Sequence, residues 1–470
     1  MARNALDRHI VLVGFMGAGK STIGAKVAER LGRPFVDVDA EVERDQGAIE
    51  EIFATRGEMV FRGYEARYLE EACRRTPPAV IAVGAGAVET RDALAAMASA
   101  FAVYVEVDVD TAWERARGTG RPLAQEEAEF RRRYERREPL YAEVSEAKAR
   151  DVDDVVLAAA GIHVEAGALH GLERFVEEPA ALVTEPVVGG IHGADAQIAF
   201  PFAETHDLPT GEAAKQLGVV ERLWRSLRLG RDGTIVALGG GALTDAAGYA
   251  ASSYLRGVPW VPVPTTLTAQ VDASIGGKTG IDLQEGKNLV GAFHWPARTV
   301  IDPELLASLP VRERKNGMAE VVKTGLLAGE PLWELPEPEL VRRTAAFKAA
   351  VCIADPLEGG LRTMLNLGHT FAHALETGAH YGVPHGEAVA LGLLAALRLS
   401  GLETDVVEEV LSPQPVPADR ERAWAALRRD KKSEQGRPRL VLLDAPGAPR
   451  IDVELPDEQV RAALDRLIAD

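Results

Sequence analysis

At 470 residues the chain is too long for a single hydrophobic core, so two or three domains are expected. Its 46% hydrophobic and 26% charged residues describe an ordinary globular protein and exclude intrinsic disorder. A formal charge of -18 excludes a broad phosphate footprint, so neither nucleic acid nor an anionic membrane is an expected partner, while small anions can still be held by local Lys and Arg.

From the N-terminus, the apolar run Ile10–Ala18 is short, ends at Lys20 and lacks a cleavage-like site, so it does not read as a signal peptide. Ile10-Val11-Leu12-Val13 reads instead as a buried parallel strand, and it feeds into Gly14-Phe15-Met16-Gly17-Ala18-Gly19-Lys20-Ser21. This is a complete phosphate-binding loop in its strand-loop-helix setting. Gly17 and Gly19 let backbone N–H groups close on phosphate, Lys20 reaches the outer phosphates, and Ser21, followed by Thr22, can ligate Mg²⁺. A nucleoside triphosphate such as ATP is the expected ligand. A second strand, Pro34–Asp39, is expected to end with Asp37 and Asp39 on one strand face, one to orient Mg²⁺ and one to accept a proton from a substrate hydroxyl. Ser145–Gly161 reads as a last helix ending at a glycine, with no long linker after it.

Residues 8–160 resemble the shikimate kinases, through GFMGAGKSTIG, FVDVDAEVE, IFATRGEMVFRGYE, VGAGAV, GRPL and RREPLY. The resemblance implies that Asp39, Arg62 and Arg137 hold shikimate, with the turn at Gly84 and Gly86. It places Arg121 in a lid over ATP and Asp37 near Mg²⁺. An arginine fork suits the carboxylate of such a substrate. One position departs from the family: its three-glycine turn is Gly84-Ala85-Gly86 here, and a positive φ at the middle position would strain Ala85.

Beyond residue 161, short apolar strands are expected at Gly161–Gly167 and Ala180–Thr184, the latter followed by a segment too short for a full crossover helix. Thr234–Leu238 leads into Gly239-Gly240-Gly241, a strand end at which backbone can approach a pyrophosphate. Lys278, Lys287 and Asn288 sit in glycine-rich loops that suit a phosphate cradle, to which Lys323, Arg362 and Asn366 can contribute. Four of the ten histidines, His369, His373, His380 and His385, fall within one short stretch, with His369 and His373 one helical turn apart. Glu320 and Lys323 stand at i, i+3 upstream. Two imidazoles and one carboxylate with an open fourth position are the ligand set of a catalytic metal. The uncharged run Ala388–Leu397 is about half of what a bilayer requires. Cys73 and Cys352 have no metal-finger spacing and read as buried thiols of a reducing cytoplasm.

Residues 161–470 are similar to 3-dehydroquinate synthase, through GGGALTDAAGYAASSYLRG, PTTLTAQVDASIGGKTG, GKNLVGAF, LPVRERKNGMAEVVK, EGGLRTMLNLGHTFAHALE and HGEAVALGL. The likeness implies Zn²⁺, or Co²⁺ on the same ligands, held by Glu320, His369 and His385. It implies NAD bound by Glu212, Lys215, Gly240, Gly241, Asp245, Thr265 and Thr266, with Asp272, Lys278 and Lys287 nearby. Substrate would meet Asp272, Lys278, Lys287, Asn288, Lys323, Lys348, Arg362, Asn366 and His373. Arg256 would reach a neighbouring subunit's phosphate pocket in a homodimer, and Asp430-Lys431-Lys432 would close on substrate. The chemistry implied is a transient oxidation that acidifies a neighbouring hydrogen, so that phosphate can leave before the ring closes. The family's PDGE turn is Leu208-Pro209-Thr210-Gly211-Glu212 here, and the region around Glu330–Thr344 looks trimmed.

The expected architecture is therefore α/β. It comprises a P-loop kinase domain over 1–160, a Rossmann-like NAD-binding domain over 161–305 and an α-helical metal-binding domain over 306–470. Its partners are small anionic substrates. A polyol dehydrogenase, another sugar-phosphate cyclase and a nonenzymatic ATP-sensing scaffold are the alternatives.

Overall fold

The computed structural model describes residues 4–118, 123, 125–429 and 438–469. The chain divides into two compact units, Arg3–Ile162 and His163–Asp470. No helix among the described residues is long and apolar enough to cross a membrane.

The first unit is a parallel sheet of five strands flanked by helices. In chain order it runs β1 (Ile10–Val13), α1 (Lys20–Arg30), β2 (Phe35–Asp37), α2 (Val38–Gln46), α3 (Ile49–Arg56), α4 (Glu58–Cys73), β3 (Val80–Ala82) and α5 (Arg91–Met97). It continues with β4 (Phe101–Val105), α6 (Val109–Ala116), α7 (Glu127–Val144), β5 (Ala147–Ala149) and α8 (Val152–Ala160). The sheet order is β2-β3-β1-β4-β5, which puts β1 at its centre. All four residues of β1 are buried, as a strand covered on both faces must be. Two expectations are corrected here. The second strand stops at Asp37, whose side chain accepts the Ala40 N–H at 3.2 Å and caps α2, so Asp39 lies in the first helical turn and not on a strand face with Asp37. Ser145–Gly161 is not one helix: Ala147–Ala149 adds the edge strand β5, and Asp151 then caps α8 by accepting the Asp154 N–H at 2.9 Å.

Strand β6 (Ile162–Val164) begins at the last residue of the first unit, and the second continues with β7 (Ala180–Thr184), α9 (Pro186–Ala199), β8 (Glu204–Asp207), α10 (Leu217–Ser226), β9 (Thr234–Gly239), α11 (Gly241–Ser253) and β10 (Trp260–Pro264). Strands β10-β9-β7-β8 form a second parallel sheet, and the hairpin β11 (Lys278–Leu283) and β12 (Gly286–Phe293) follows it. The segment expected to be too short for a crossover helix holds all of α9, because Pro186 starts the helix one residue after Glu185 leaves the strand region. After β13 (Thr299–Ile301) the unit becomes helical. It runs through α12 (Val311–Ala328), α13 (Glu337–Ala354), α14 (His369–Gly378), α15 (His385–Ser400), α16 (Asp405–Leu411) and α17 (Arg420–Arg429). The hairpin β14 (Leu440–Ala445) and β15 (Ala448–Val453) and the helix α18 (Asp457–Asp465) complete it.

A core built from Val322, Phe371, Leu375, Leu393 and Leu397 packs α12, α14 and α15 together. Two glycines set how closely they pack. A Cβ on Gly392 would stand 2.0 Å from the Gly368 carbonyl oxygen, and one on Gly386 would stand 2.4 Å from the Asn316 Cα. Neither distance is accessible to a real side chain, so only glycine lets the start of α14 and the start of α15 touch their neighbours backbone to backbone.

Candidate active sites

In the first unit, Gly19 takes a left-handed conformation (φ 86°) and α1 begins at the next residue, so the loop wraps the helix N-terminus. The Lys20 ammonium donates to the carbonyls of Gly14 and Phe15 at 2.8 and 3.0 Å. A cavity of about 520 Å³ opens here, lined by Gly17, Gly19, Lys20, Ser21 and Thr22 at one end and by Asp37, Asp39, Arg62, Gly84, Gly86 and Arg137 at the other. All the residues expected to act in this unit thus meet at one cavity except Arg121, which lies outside the described residues. Arg62 and Arg137 are nearly inaccessible. Glu58 and Glu65 hold Arg62 (2.9 and 2.7 Å), and Glu89 holds Arg137 (2.5 Å). Of these carboxylates Glu65 is buried while Glu58 and Glu89 are open to solvent, and together they fix the guanidinium forks in place.

Ala85 has no positive φ, so the strain expected at that position is absent. Its carbonyl accepts the Tyr141 hydroxyl at 2.6 Å. The demanding position is Gly84, whose Cβ would stand 2.1 Å from Glu65 Oε1 and 2.8 Å from Asp39 Oδ1. Glu65 is fully buried, and burial pushes its carboxyl up to about 7, against the pull of Arg62 and with the help of Asp39.

In the second unit, α12, α14 and α15 bring Glu320, His369 and His385 together, with one ligand atom of each within 4.8 Å of the others. Glu320 Oε1 lies 3.5 Å from His369 Nε2 and 3.3 Å from His385 Nε2. Its side chain is 1% exposed, and neither oxygen has a hydrogen-bond partner of good geometry among the described residues. The Lys323 ammonium, on the same helix face, pairs with Glu320. Burial alone would raise the Glu320 carboxyl; Lys323 and the two imidazoles hold it well below the usual carboxylate range. An ionised carboxylate buried beside two imidazole nitrogens, with Lys323 on Oε2 and no hydrogen bond of good geometry on the Oε1 that faces them, fits a divalent cation. His373 does not join this trio. Its ring meets His369 edge-on at 5.7 Å, and desolvation by the atoms around it, reinforced by His369, holds it below the ordinary imidazole value, so it is neutral near pH 7.

Around the trio, a chain of ion pairs collects the remaining expected residues. Asp272 lies 3.8 Å from Lys323 and 2.7 Å from Lys348, and Lys278 meets Glu358 at 2.6 Å. Arg362 is buried and donates to the carbonyls of Gly276 and Pro356 at 2.9 and 3.0 Å, and Asn366 donates to the Thr363 carbonyl at 3.0 Å. Asn288 takes a left-handed turn (φ 53°) between Lys287 and the remainder of β12. Lys215 is buried and reaches Asp245 at 2.8 Å and the Asn288 side-chain oxygen, and Glu212 lies 3.5 Å from Lys287. Thr265 is buried; Thr266 faces Gly240, whose Cβ would meet the Thr266 methyl at 3.2 Å. Gly241 opens α11 just after the end of β9. Arg256 stands apart from this cluster, exposed in a left-handed turn with Leu255 (φ 71° and 51°). Asp430, Lys431 and Lys432 lie outside the described residues.

Five carboxylates in these sites were not anticipated: Glu58, Glu65, Glu89, Glu358 and Glu376. Glu65 and Glu376 carry a helical signal, since Glu65 is three residues after Arg62 and Glu376 is seven after His369, each on the same face as a site residue. Glu89 and Glu358 pair with residues far away in sequence, which no local period reveals.

Comparison with known proteins matches residues 205–316 to the 3-dehydroquinate synthase N-terminal family and 317–433 to the 3-dehydroquinate synthase C-terminal family. The 3-dehydroquinate synthase of Bordetella pertussis is 39% identical over 346 residues, covering 65% of this chain and 95% of the relative. That of Symbiobacterium thermophilum is 40% identical over 349 residues, covering 66% and 97%. The chain belongs to the 3-dehydroquinate synthase family. Residues 16–160 match the shikimate kinase family, so a kinase domain precedes the synthase in one chain, and both are enzymes. A solved structure of 2-epi-5-epi-valiolone synthase from Streptomyces hygroscopicus subsp. jinggangensis 5008, with NAD⁺ and Zn²⁺ bound, shares 26% identity and a TM-score of 0.58 with the synthase part. It covers 65% of this chain and 96% of its own. The fold of 2-deoxy-scyllo-inosose synthase is also shared, at 24% identity and a TM-score of 0.58.

Proposed function

We propose that the first unit transfers phosphate from ATP to a hydroxyl of shikimate, and that the second converts 3-deoxy-arabino-heptulosonate 7-phosphate to 3-dehydroquinate with release of phosphate. In the kinase domain, Ser21 and Asp37 hold Mg²⁺, Lys20 carries the outer phosphates, Asp39 accepts the substrate proton, and Arg62 and Arg137 grip the carboxylate. Arg121 belongs over the nucleotide.

In the synthase part, Glu320, His369 and His385 hold Zn²⁺ or Co²⁺. NAD lies against Gly240, Gly241, Asp245, Thr265 and Thr266, with Glu212, Lys215, Asp272, Lys278 and Lys287 around it. When bound, the metal supplies Lewis acidity to a substrate hydroxyl and NAD takes and returns a hydride. Lys278, Lys287, Asn288, Lys348, Arg362 and Asn366 hold the anionic groups of the substrate, and Lys323 keeps Glu320 ionised as a ligand. His373, neutral at working pH, can move a proton at the reacting carbon. The NAD⁺ and Zn²⁺ of the valiolone synthase structure support the cofactor assignment. The two activities act in the cytoplasm. The synthase part forms a homodimer in which Arg256 reaches the partner's phosphate pocket.

The observation that carries this reading is the Glu320, His369 and His385 cluster, with Lys323 paired to Glu320 and linked through Asp272 to Lys348. The test is phosphate release from the seven-carbon substrate by the whole chain, with NADH followed in parallel, before and after a zinc chelator. Phosphate released without net NADH, and lost on chelation, is the expected result. Net NADH would mean a polyol dehydrogenase, and phosphate released only from another sugar phosphate would mean a different cyclase. The two reactions are not consecutive, so fusion serves stoichiometry rather than handover. Separated halves are expected to match the rates of the whole chain, and a large loss on separation would overturn that.

A further inference from the structure

The two imidazoles of the metal cluster are anchored differently. His369 opens α14, and its Nδ1 lies 3.2 Å from the Leu367 carbonyl oxygen, an acceptor supplied by its own backbone. That bond leaves Nε2 turned toward Glu320. His385 opens α15, and its ring is the most exposed of the three ligands, at 40% against 12% for His369 and 1% for Glu320. Among the described residues it has no backbone acceptor. Its Nδ1 faces Glu376 Oε1 at 3.4 Å, while its Nε2 lies 3.3 Å from Glu320 Oε1.

Glu376 is 4% exposed, in the third turn of α14. The same Oε1 lies 3.8 Å from the Lys287 ammonium, which also sits over the Tyr381 ring at 5.1 Å. One carboxylate therefore faces a metal ligand on one side and a cation of the β12 hairpin on the other.

We propose that Glu376 is a positioning residue for the metal centre, holding the His385 ring so that Nε2 points at the ion, with Lys287 as a second claimant on the same carboxylate oxygen. The proposal rests on reading Glu320, His369 and His385 as metal ligands. Carboxylates that orient a ligating imidazole through its other nitrogen set metal affinity by about 10- to 100-fold. Here the effect falls on His385 alone, because His369 has its own anchor. Since Lys287 competes for Glu376, neutralising the lysine leaves the carboxylate wholly to the imidazole.

The test uses the purified whole chain, stripped of metal and titrated with Co²⁺ against a chelator, with the visible Co²⁺ absorption as a second readout. Glu376→Ala is expected to weaken Co²⁺ binding about 10- to 100-fold and to change the absorption of the bound ion as His385 is lost from its shell. Glu376→Gln, nearly the same shape and still offering a carbonyl oxygen, recovers part of the loss, and it serves as the folded control should the alanine variant not fold. Lys287→Met is expected to bind Co²⁺ at least as tightly as the wild type. The proposal is overturned if both Glu376 variants match wild-type affinity and spectrum, or if Lys287→Met weakens binding as much as Glu376→Ala. His385→Ala separates the two levels of the argument. If it abolishes binding while the Glu376 variants do nothing, the ligand assignment stands and the positioning role falls; if it binds as the wild type does, the ligand assignment itself is wrong.

Discussion

Substituting Gly84 by alanine tests the kinase site at its tightest point. The added Cβ would stand 2.1 Å from Glu65 Oε1 and 2.8 Å from Asp39 Oδ1. Ordinary contact begins near 3.5 Å, so one carboxylate or the turn itself must move by about 1 Å. Glu65 cannot swing aside, because it is fully buried and bonded to Arg62 at 2.7 Å. Overpacking of this kind costs about 1–3 kcal/mol. Displacing the arginine proposed to hold substrate and the expected base by about 1 Å adds a loss of about 100-fold in rate. Gly84→Ala is therefore expected to lower kinase kcat/KM about 100-fold, measured as ADP formed with shikimate. Phosphate release by the synthase part of the same preparation should stay within about threefold of wild type, a change worth under 1 kcal/mol. Ala85→Gly is the matched control and should leave both rates within about threefold, because the backbone there carries no strain to relieve. The reasoning fails if Gly84→Ala keeps its kinase rate, or if both activities fall together, which would report unfolding rather than a blocked site.

Removing the Lys323 ammonium with Lys323→Met leaves Glu320 buried without its cation, a loss of about 3–5 kcal/mol. Thermal unfolding of the metal-free chain should shift down and recover in part when Zn²⁺ is added. Glu65 predicts a pH dependence. Its folded value, about 7, is above the ordinary 4.5, so the folded state holds the extra proton between those limits. The stability it contributes is present below about pH 4.5 and is lost as pH rises to about 7, by roughly 3 kcal/mol. Glu65→Gln should flatten that part of the urea-midpoint profile, and an unchanged slope would contradict the burial argument. Gly392→Ala places a methyl 2.0 Å from the Gly368 carbonyl and must part α14 from α15. Zinc affinity, measured by chelator competition, should drop more than tenfold, with the kinase rate unchanged.

Much of the site was legible because its chemistry is local. A phosphate-binding loop is written within eight consecutive residues, and His369 and His373 declare a shared helix face by their spacing. Where the reading failed, a short-range pattern met a competing rule. The side chain of Asp37 was free to cap a helix, which moved Asp39 off the strand, and Pro186 allowed α9 to begin at once in a segment judged too short.

By itself the sequence determined most of the element order, the nucleotide loop and the candidate metal ligands, since each depends on residues near one another along the chain. Tertiary structure alone decided that Glu320, His369 and His385 converge while His373 stays outside, because the convergence depends on two backbone contacts, at Gly386 with Asn316 and at Gly392 with Gly368. It also decided which carboxylate serves which cation. Coulomb attraction acts across space, and the partners of Lys278, Lys348 and Arg137 lie 80, 76 and 48 residues away along the chain.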